Sequence, residues 1–137
     1  MILDSSAVVA IVRQEPDAEI FARALEAEPS CKMSAANFLE AAIVLDSRRD
    51  ATQGRRYDEI LRQGNVELVP LDEAQARIAR EAYRDFGKGS GHAAQLNFGD
   101  CFAYALAKAT GEPLLYKGSD FSHTDVARAF PPPGTSP

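Results

Sequence analysis

The chain has 137 residues, 45% of them hydrophobic, and a formal net charge of −5, which suits one compact core burying about two-thirds of the unfolded surface. No apolar run reaches the ~18 residues of a membrane span, and MILDSSAVVAIV has no basic segment ahead of its apolar stretch, so the expectation is a soluble, cytoplasmic protein with neither a membrane anchor nor a secretory signal. The acidic balance argues against long-range attraction to nucleic acid, so a polyanionic partner needs a local basic patch or bound cations.

Apolar runs of strand length alternate with longer segments of helical period, the pattern of an α/β fold with a central, mostly parallel sheet of four to five strands flanked by helices. Met1 to Asp4 reads as the first strand and SSAVVAIVRQ as a helix. A second helix runs from Asp17 to Glu28, with Ile20, Phe21, Ala24 and Leu25 at helical spacing, and Pro29 closes it. CKM at 31–33 is the second strand. Ser34 then caps a helix to about Asp50, its hydroxyl accepting a free backbone N–H. A polar helix follows from Thr52 to Gln63. NVELVP at 65–70 is the third strand, and Asp72 caps a long helix reaching Phe86. GKGSGHAAQLNFG at 87–99 reads as a glycine-rich loop. Asp100 opens a helix to Thr110, which Gly111 ends, and PLLYK at 113–117 is the fourth strand. One domain over 1–130 and a loose tail over 131–137 complete the organisation, because PPPGTSP offers no donors to a sheet and little apolar surface.

Three carboxylates stand alone in apolar surroundings: Asp4 is the only charged side chain before Arg13, Glu40 the only one between Lys32 and Asp46, and Asp100 the only one between Lys88 and Lys108. An ionised carboxylate taken out of water costs several kcal/mol unless it is paired, strongly hydrogen-bonded or metal-bound. Asp4 and Asp100 have an ordinary explanation as helix caps, and Asp120 as a turn residue in KGSD. Glu40, inside its helix, has the alternative of an arginine partner. Ligands of parallel sheets bind beyond the carboxyl ends of the strands, and there the four acids can share one rim. Four carboxylates without a cation repel one another and push a pKa upward. All-oxygen ligation favours Mg²⁺ or Mn²⁺ over zinc. His92 and His123 have no partner at ligand spacing and read as loop histidines, and Cys31 and Cys101 as reduced, buried thiols.

LDSSA at the start, NFLEAA in the third helix, NFGDCFAYALAK and the closing YKGSDF, in this order and spacing, resemble the PIN-domain ribonucleases, specifically the VapC toxins of prokaryotic toxin–antitoxin pairs. The resemblance implies metal-dependent endonucleolytic cleavage of RNA. It also implies that Asp4, Glu40, Asp100 and Asp120 gather around Mg²⁺ or Mn²⁺ with Ser6 ordering the site, that the chain forms a homodimer, and that a VapB-type antitoxin inhibits it. Such an antitoxin could offer an arginine to the carboxylates.

Arg48, Arg49, Arg55 and Arg56, and then Arg77, Arg80, Arg84 and Lys88, are the candidate tracks for RNA. The second set also reads as a solvated helix face with Glu73–Arg77 and Arg77–Glu81 pairs. Tyr83, Phe86 and Phe98 suit the core, with base stacking the alternative. GxxxxGK[ST] is absent, so the glycine-rich loop is not a nucleotide-binding P-loop. Two rival functions remain at this level: a non-catalytic protein-binding module, and phosphoryl transfer through an aspartyl-phosphate, for which Asp4-Ser5-Ser6 lacks the second acid of a DxD signature.

Overall fold

The computed structural model describes residues 1–129; the expected tail at 131–137 lies outside them. Four short strands, β1 (Ile2–Leu3), β2 (Lys32–Ser34), β3 (Glu67–Val69) and β4 (Leu114–Leu115), form one parallel sheet in the order β3-β2-β1-β4. Residues 127–129 add a single parallel bridge to the outer edge of β4, through Leu114 N–H to the Ala127 carbonyl and Ala129 N–H to the Leu114 carbonyl, each at 2.9 Å. Four strands and a fragment of a fifth therefore satisfy the expected four to five.

Strand alternation sends neighbouring side chains to opposite faces. Leu3, Met33 and Leu115 face a core shared with α1 (Ser5–Val12), α2 (Ala18–Ala27), α3 (Ala35–Asp46) and α4 (Ala51–Gln63). Ile2, Leu114 and Tyr116 face a second core, against α5 (Glu73–Phe86) and α6 (Phe98–Thr110). Ile2, Leu3, Leu114 and Leu115 are fully buried, each contributing about 1.5–3 kcal/mol by leaving water. Buried on both faces, β1 and β4 need apolar residues at every position, which is why they read as unbroken runs.

Helix boundaries follow local chemistry. Asp4, Ser34, Asp50 and Asp72 each accept a backbone N–H of the helix they precede, and Gly111 ends α6 in the left-handed conformation at φ 71°, which costs glycine nothing. The third helix ends at Asp46, short of the expected Asp50, because Asp50 is used instead as the cap of α4. Strand β1 lies at the point where the connections diverge, one leading to β2 on its one side and the later one to β4 on the other. The carboxyl ends of β1 and β4, with the first turns of α1 and α6, therefore frame the crevice in which such sheets bind ligands.

Candidate active site

Asp4 leaves the end of β1 and caps α1. Its Oδ2 accepts from the Ser6 backbone N–H at 3.0 Å and from the Ser6 hydroxyl at 2.5 Å. Ser6 Oγ in turn accepts from the Lys117 N–H at 3.0 Å, just past β4. One hydroxyl thus ties together the ends of two adjacent strands. Burial pushes the Asp4 carboxyl up to about 6; the bonds from Ser6 oppose this and the charge of Glu40 adds to it.

Asp100 does not open its helix. It is the third residue of α6, and Asn97 is the cap: Asn97 Oδ1 accepts from the Asp100 N–H at 2.9 Å, and Asp100 Oδ2 accepts from the Asn97 N–H at 3.0 Å. Asparagine caps as well as aspartate does, and an acid three places after it, in the first turn, completes a reciprocal capping box. The expected loop accordingly stops at Asn97, with Phe98 and Gly99 already helical. Burial pushes the Asp100 carboxyl up to about 7, against the pull of the Asn97 N–H, and the charges of Asp4 and Asp120 and a hydrogen bond shared with Asp120 raise it further.

Asp120 is exposed in the turn after β4, its carboxyl within reach of Asp100. Glu40 projects from α3, half-buried, and its Oε1 accepts from Ser5 Oγ at 2.6 Å and from Asn37 Nδ2 at 3.2 Å. The arginine partner considered for it is not found. Among the described residues, no lysine, arginine or histidine lies within ion-pair distance of Asp4, Glu40, Asp100 or Asp120. Lys117, the nearest cation in sequence, is held by Glu15 at 2.7 Å and Asp17 at 3.1 Å.

The structure therefore brings the four acids into one chain of neighbours, Asp120 to Asp100 to Asp4 to Glu40. Among the described residues, no three acidic, histidine or cysteine side chains already close around a single point at metal-ligand spacing; the carboxylates approach in pairs. All their donors are hard oxygens, which fits Mg²⁺ or Mn²⁺, and Mg²⁺ asks for only one or two carboxylates, with water and phosphate oxygens for the rest.

With that geometry in place, the comparisons decide the family. The PIN domain family model matches residues 1–127. Over 130 residues the chain is 54% identical to Ribonuclease VapC28 of Mycobacterium tuberculosis, covering 95% of this chain and 98% of that one. This chain belongs to the VapC ribonucleases of the PIN-domain family. Ribonuclease VapC30 of the same organism is 50% identical over 127 residues, covering 93% of this chain and 96% of the relative. Ribonuclease VapC42 is 46% identical over 129 residues, covering 94% and 98%. The crystal structure of Mycobacterium tuberculosis VapC20, titled a sarcin-ricin loop cleaving toxin, superposes with a TM-score of 0.72 at 15% identity, covering 92% of this chain and 95% of that one; the likeness there is of fold.

In this VapC-family chain several residues around the acids escaped the sequence reading. Ser5, Asn37, Asn97 and the Lys117 N–H each bond to a candidate residue. Asn37 had a usable signal, since it stands three residues before Glu40 and hence on the same helix face. Lys117 had none, because its contribution is a backbone group placed by the sheet. His92 is structural: its Nδ1 accepts from the Ala94 N–H at 3.0 Å and its ring meets the Phe86 ring edge-on.

The aromatic expectation is corrected for two of its three members. Phe98 is 78% exposed and Tyr83 49%. They line a groove of about 520 Å³ with Leu71, Phe102, Arg80 and Lys88. Phe98 precedes Asp100 by two residues on the first turn of α6, so the helix that buries Asp100 turns Phe98 outward. Arg77 pairs with Glu73 at 3.7 Å; the expected pair with Glu81 does not form among the described residues. Arg56 is anchored through the Val12 carbonyl at 2.9 Å.

Proposed function

We propose that this VapC-family chain hydrolyses RNA phosphodiester bonds with Mg²⁺ or Mn²⁺, as the toxin of a type II toxin–antitoxin pair. The observation that carries the reading is the pair Asp4 and Asp100, two buried carboxylates pushed upward chiefly by burial, the charge of Asp4 adding to the rise of Asp100, with no cationic side chain within ion-pair distance among the described residues. A divalent cation, when bound, supplies the charge that neutralises a scissile phosphate and brings the pKa of an attacking water toward neutrality. Asp4 and Asp100 are the direct ligands, and Ser6 fixes the rotamer of Asp4 while binding the Lys117 N–H. Asp120 and Glu40 orient water at the site or hold a second ion.

The RNA backbone lies along the exposed side chains of Arg80 and Lys88, which flank the start of α6, rather than on a uniformly basic surface. The assembly is a homodimer, a reading supported by the exposed Leu39, Ile43 and Val44 on α3, which an isolated protomer would leave in water. A VapB-type antitoxin restrains the toxin, an arginine of its chain meeting the acids in place of the cation. The nuclease domain spans 1–130 and works in the cytoplasm. No helix of the described residues is long and apolar enough to cross a membrane.

Incubation of the purified chain with total cellular RNA, with and without Mg²⁺ or Mn²⁺, and mapping of the ends produced tests the proposal. Metal-dependent cuts that vanish in Asp100→Asn support it. Equal cutting by that variant, or none by the wild type under any metal, overturns it.

A further inference from the structure

The carboxylate of Glu40 is held by more than its own helix. Asn37 is completely buried, and its Nδ2 donates to Glu40 Oε1 at 3.2 Å and to the Gly99 carbonyl of α6 at 2.9 Å. Both hydrogens of the amide are thereby used, while its Oδ1 is buried with no partner among the described residues. The reversed amide would set Oδ1 against a carboxylate and a carbonyl, acceptor against acceptor, so chemistry allows only this orientation. Leaving a buried acceptor unpaired is unfavourable, and the fold accepts it to bridge α3 and α6 at this point.

Gly99 forms the other jaw. A Cβ placed on it would stand 1.8 Å from Glu40 Oε2 and 2.5 Å from its Cδ. The carboxylate therefore lies directly across the Cα of Gly99, one residue before Asp100 and at the positive end of α6. Helix conformation at position 99 needs no glycine; what needs it is the space taken by Glu40.

We infer that Asn37 and Gly99 are positioning residues that clasp the Glu40 carboxylate beside Asp4 and thereby set the cation affinity of the site. The inference rests on the metal-dependent reading above and deepens it. Ser5 supports the same oxygen from α1, so three elements converge on one carboxylate. Outer partners of this type change metal affinity by about 10–100-fold when removed.

The test is a double-mutant cycle read by Mn²⁺ binding, with free Mn²⁺ followed by electron paramagnetic resonance, using the full chain. Gly99→Ala fills the space of Glu40 and should weaken Mn²⁺ binding about tenfold or more, with RNA cleavage recovered as Mn²⁺ is raised. In a Glu40→Ala background the same Gly99→Ala change should cause no further loss, because no carboxylate remains to be displaced. A metal-free thermal melt checks the fold of each variant; where Gly99→Ala gives no cooperative transition, Asn37→Ala with and without Glu40→Ala runs the same cycle. Wild-type affinity in Gly99→Ala, or an equal loss in both backgrounds, overturns the clasp alone. A wild-type chain that takes up no Mn²⁺ overturns the metal reading and the clasp with it.

Discussion

Replacing Asp100 by asparagine should make the metal-free protein more stable at pH 8, although it removes a residue of the candidate active site. The Asp100 carboxyl moves from 3.8 to about 7 in the fold, chiefly through burial. Between those values the folded chain holds a proton that the unfolded chain has lost, so stability falls as pH rises across that window, and the whole penalty stands above pH 7. Each pH unit of displacement is worth ~1.4 kcal/mol, which sets a ceiling of about 4 kcal/mol. Water reaching the rim beside the exposed Asp120 screens this to about 2 kcal/mol. Asparagine keeps an oxygen for the Asn97 N–H, so the capping box survives. Urea unfolding followed by circular dichroism, in chelator at pH 4, 5, 6, 7 and 8, should show two curves of similar midpoint at pH 4 that separate in favour of Asp100→Asn as pH rises. Mn²⁺ at a hundred times its Kd should then return ~2.7 kcal/mol to the wild type at pH 8, and little to the variant. Parallel pH profiles for the two proteins, or equal stabilisation by Mn²⁺, would refute the reasoning.

Other outcomes are expected from the same geometry. Ser6→Ala removes both the bond to Asp4 and the acceptor for the Lys117 N–H, and should lower Mn²⁺-dependent cleavage about 10–100-fold, measured as initial rates on one labelled RNA. Asp4→Asn should abolish metal-dependent cleavage while leaving the far-ultraviolet spectrum unchanged, since asparagine still caps α1. The double variant Leu39→Arg with Ile43→Glu, at positions 57% and 59% exposed, should sediment as a monomer with a cooperative melt that no longer depends on protein concentration if α3 is the dimer face; a persistent dimer places the interface elsewhere. Leu115→Ala empties a site with no exposure in the sheet and should destabilise by about 2–5 kcal/mol in urea titrations.

Much of the architecture was legible because it is local. Apolar runs at strand length, Asp72 and Ser34 as caps and Gly111 as a stop are decided by neighbouring residues, and the structure places those elements within a few residues of their expected bounds. Asp4, Glu40 and Asp100 were legible for the opposite reason. A lone charge in an apolar stretch violates the local pattern, and such violations mark sites where something outside the segment compensates. Phe98 misled because period and hydrophobicity make an aromatic residue on a helix look like core, and only the docking of α6 shows which side faces inward.

By itself the sequence determined the α/β class, the strand and helix order and the isolation of three acids, Asp4, Glu40 and Asp100, because propensity, capping and the penalty for stranded charge act over a few residues. The tertiary structure alone decided the rest. It placed the Ser6 hydroxyl between β1 and β4, gave Asp100 its neighbour Asp4, and laid Glu40 across Gly99 with Asn37 closing over it. Those contacts join residues as much as 111 positions apart, and distances of that kind are set by sheet order and helix docking, not by anything the intervening chain encodes locally.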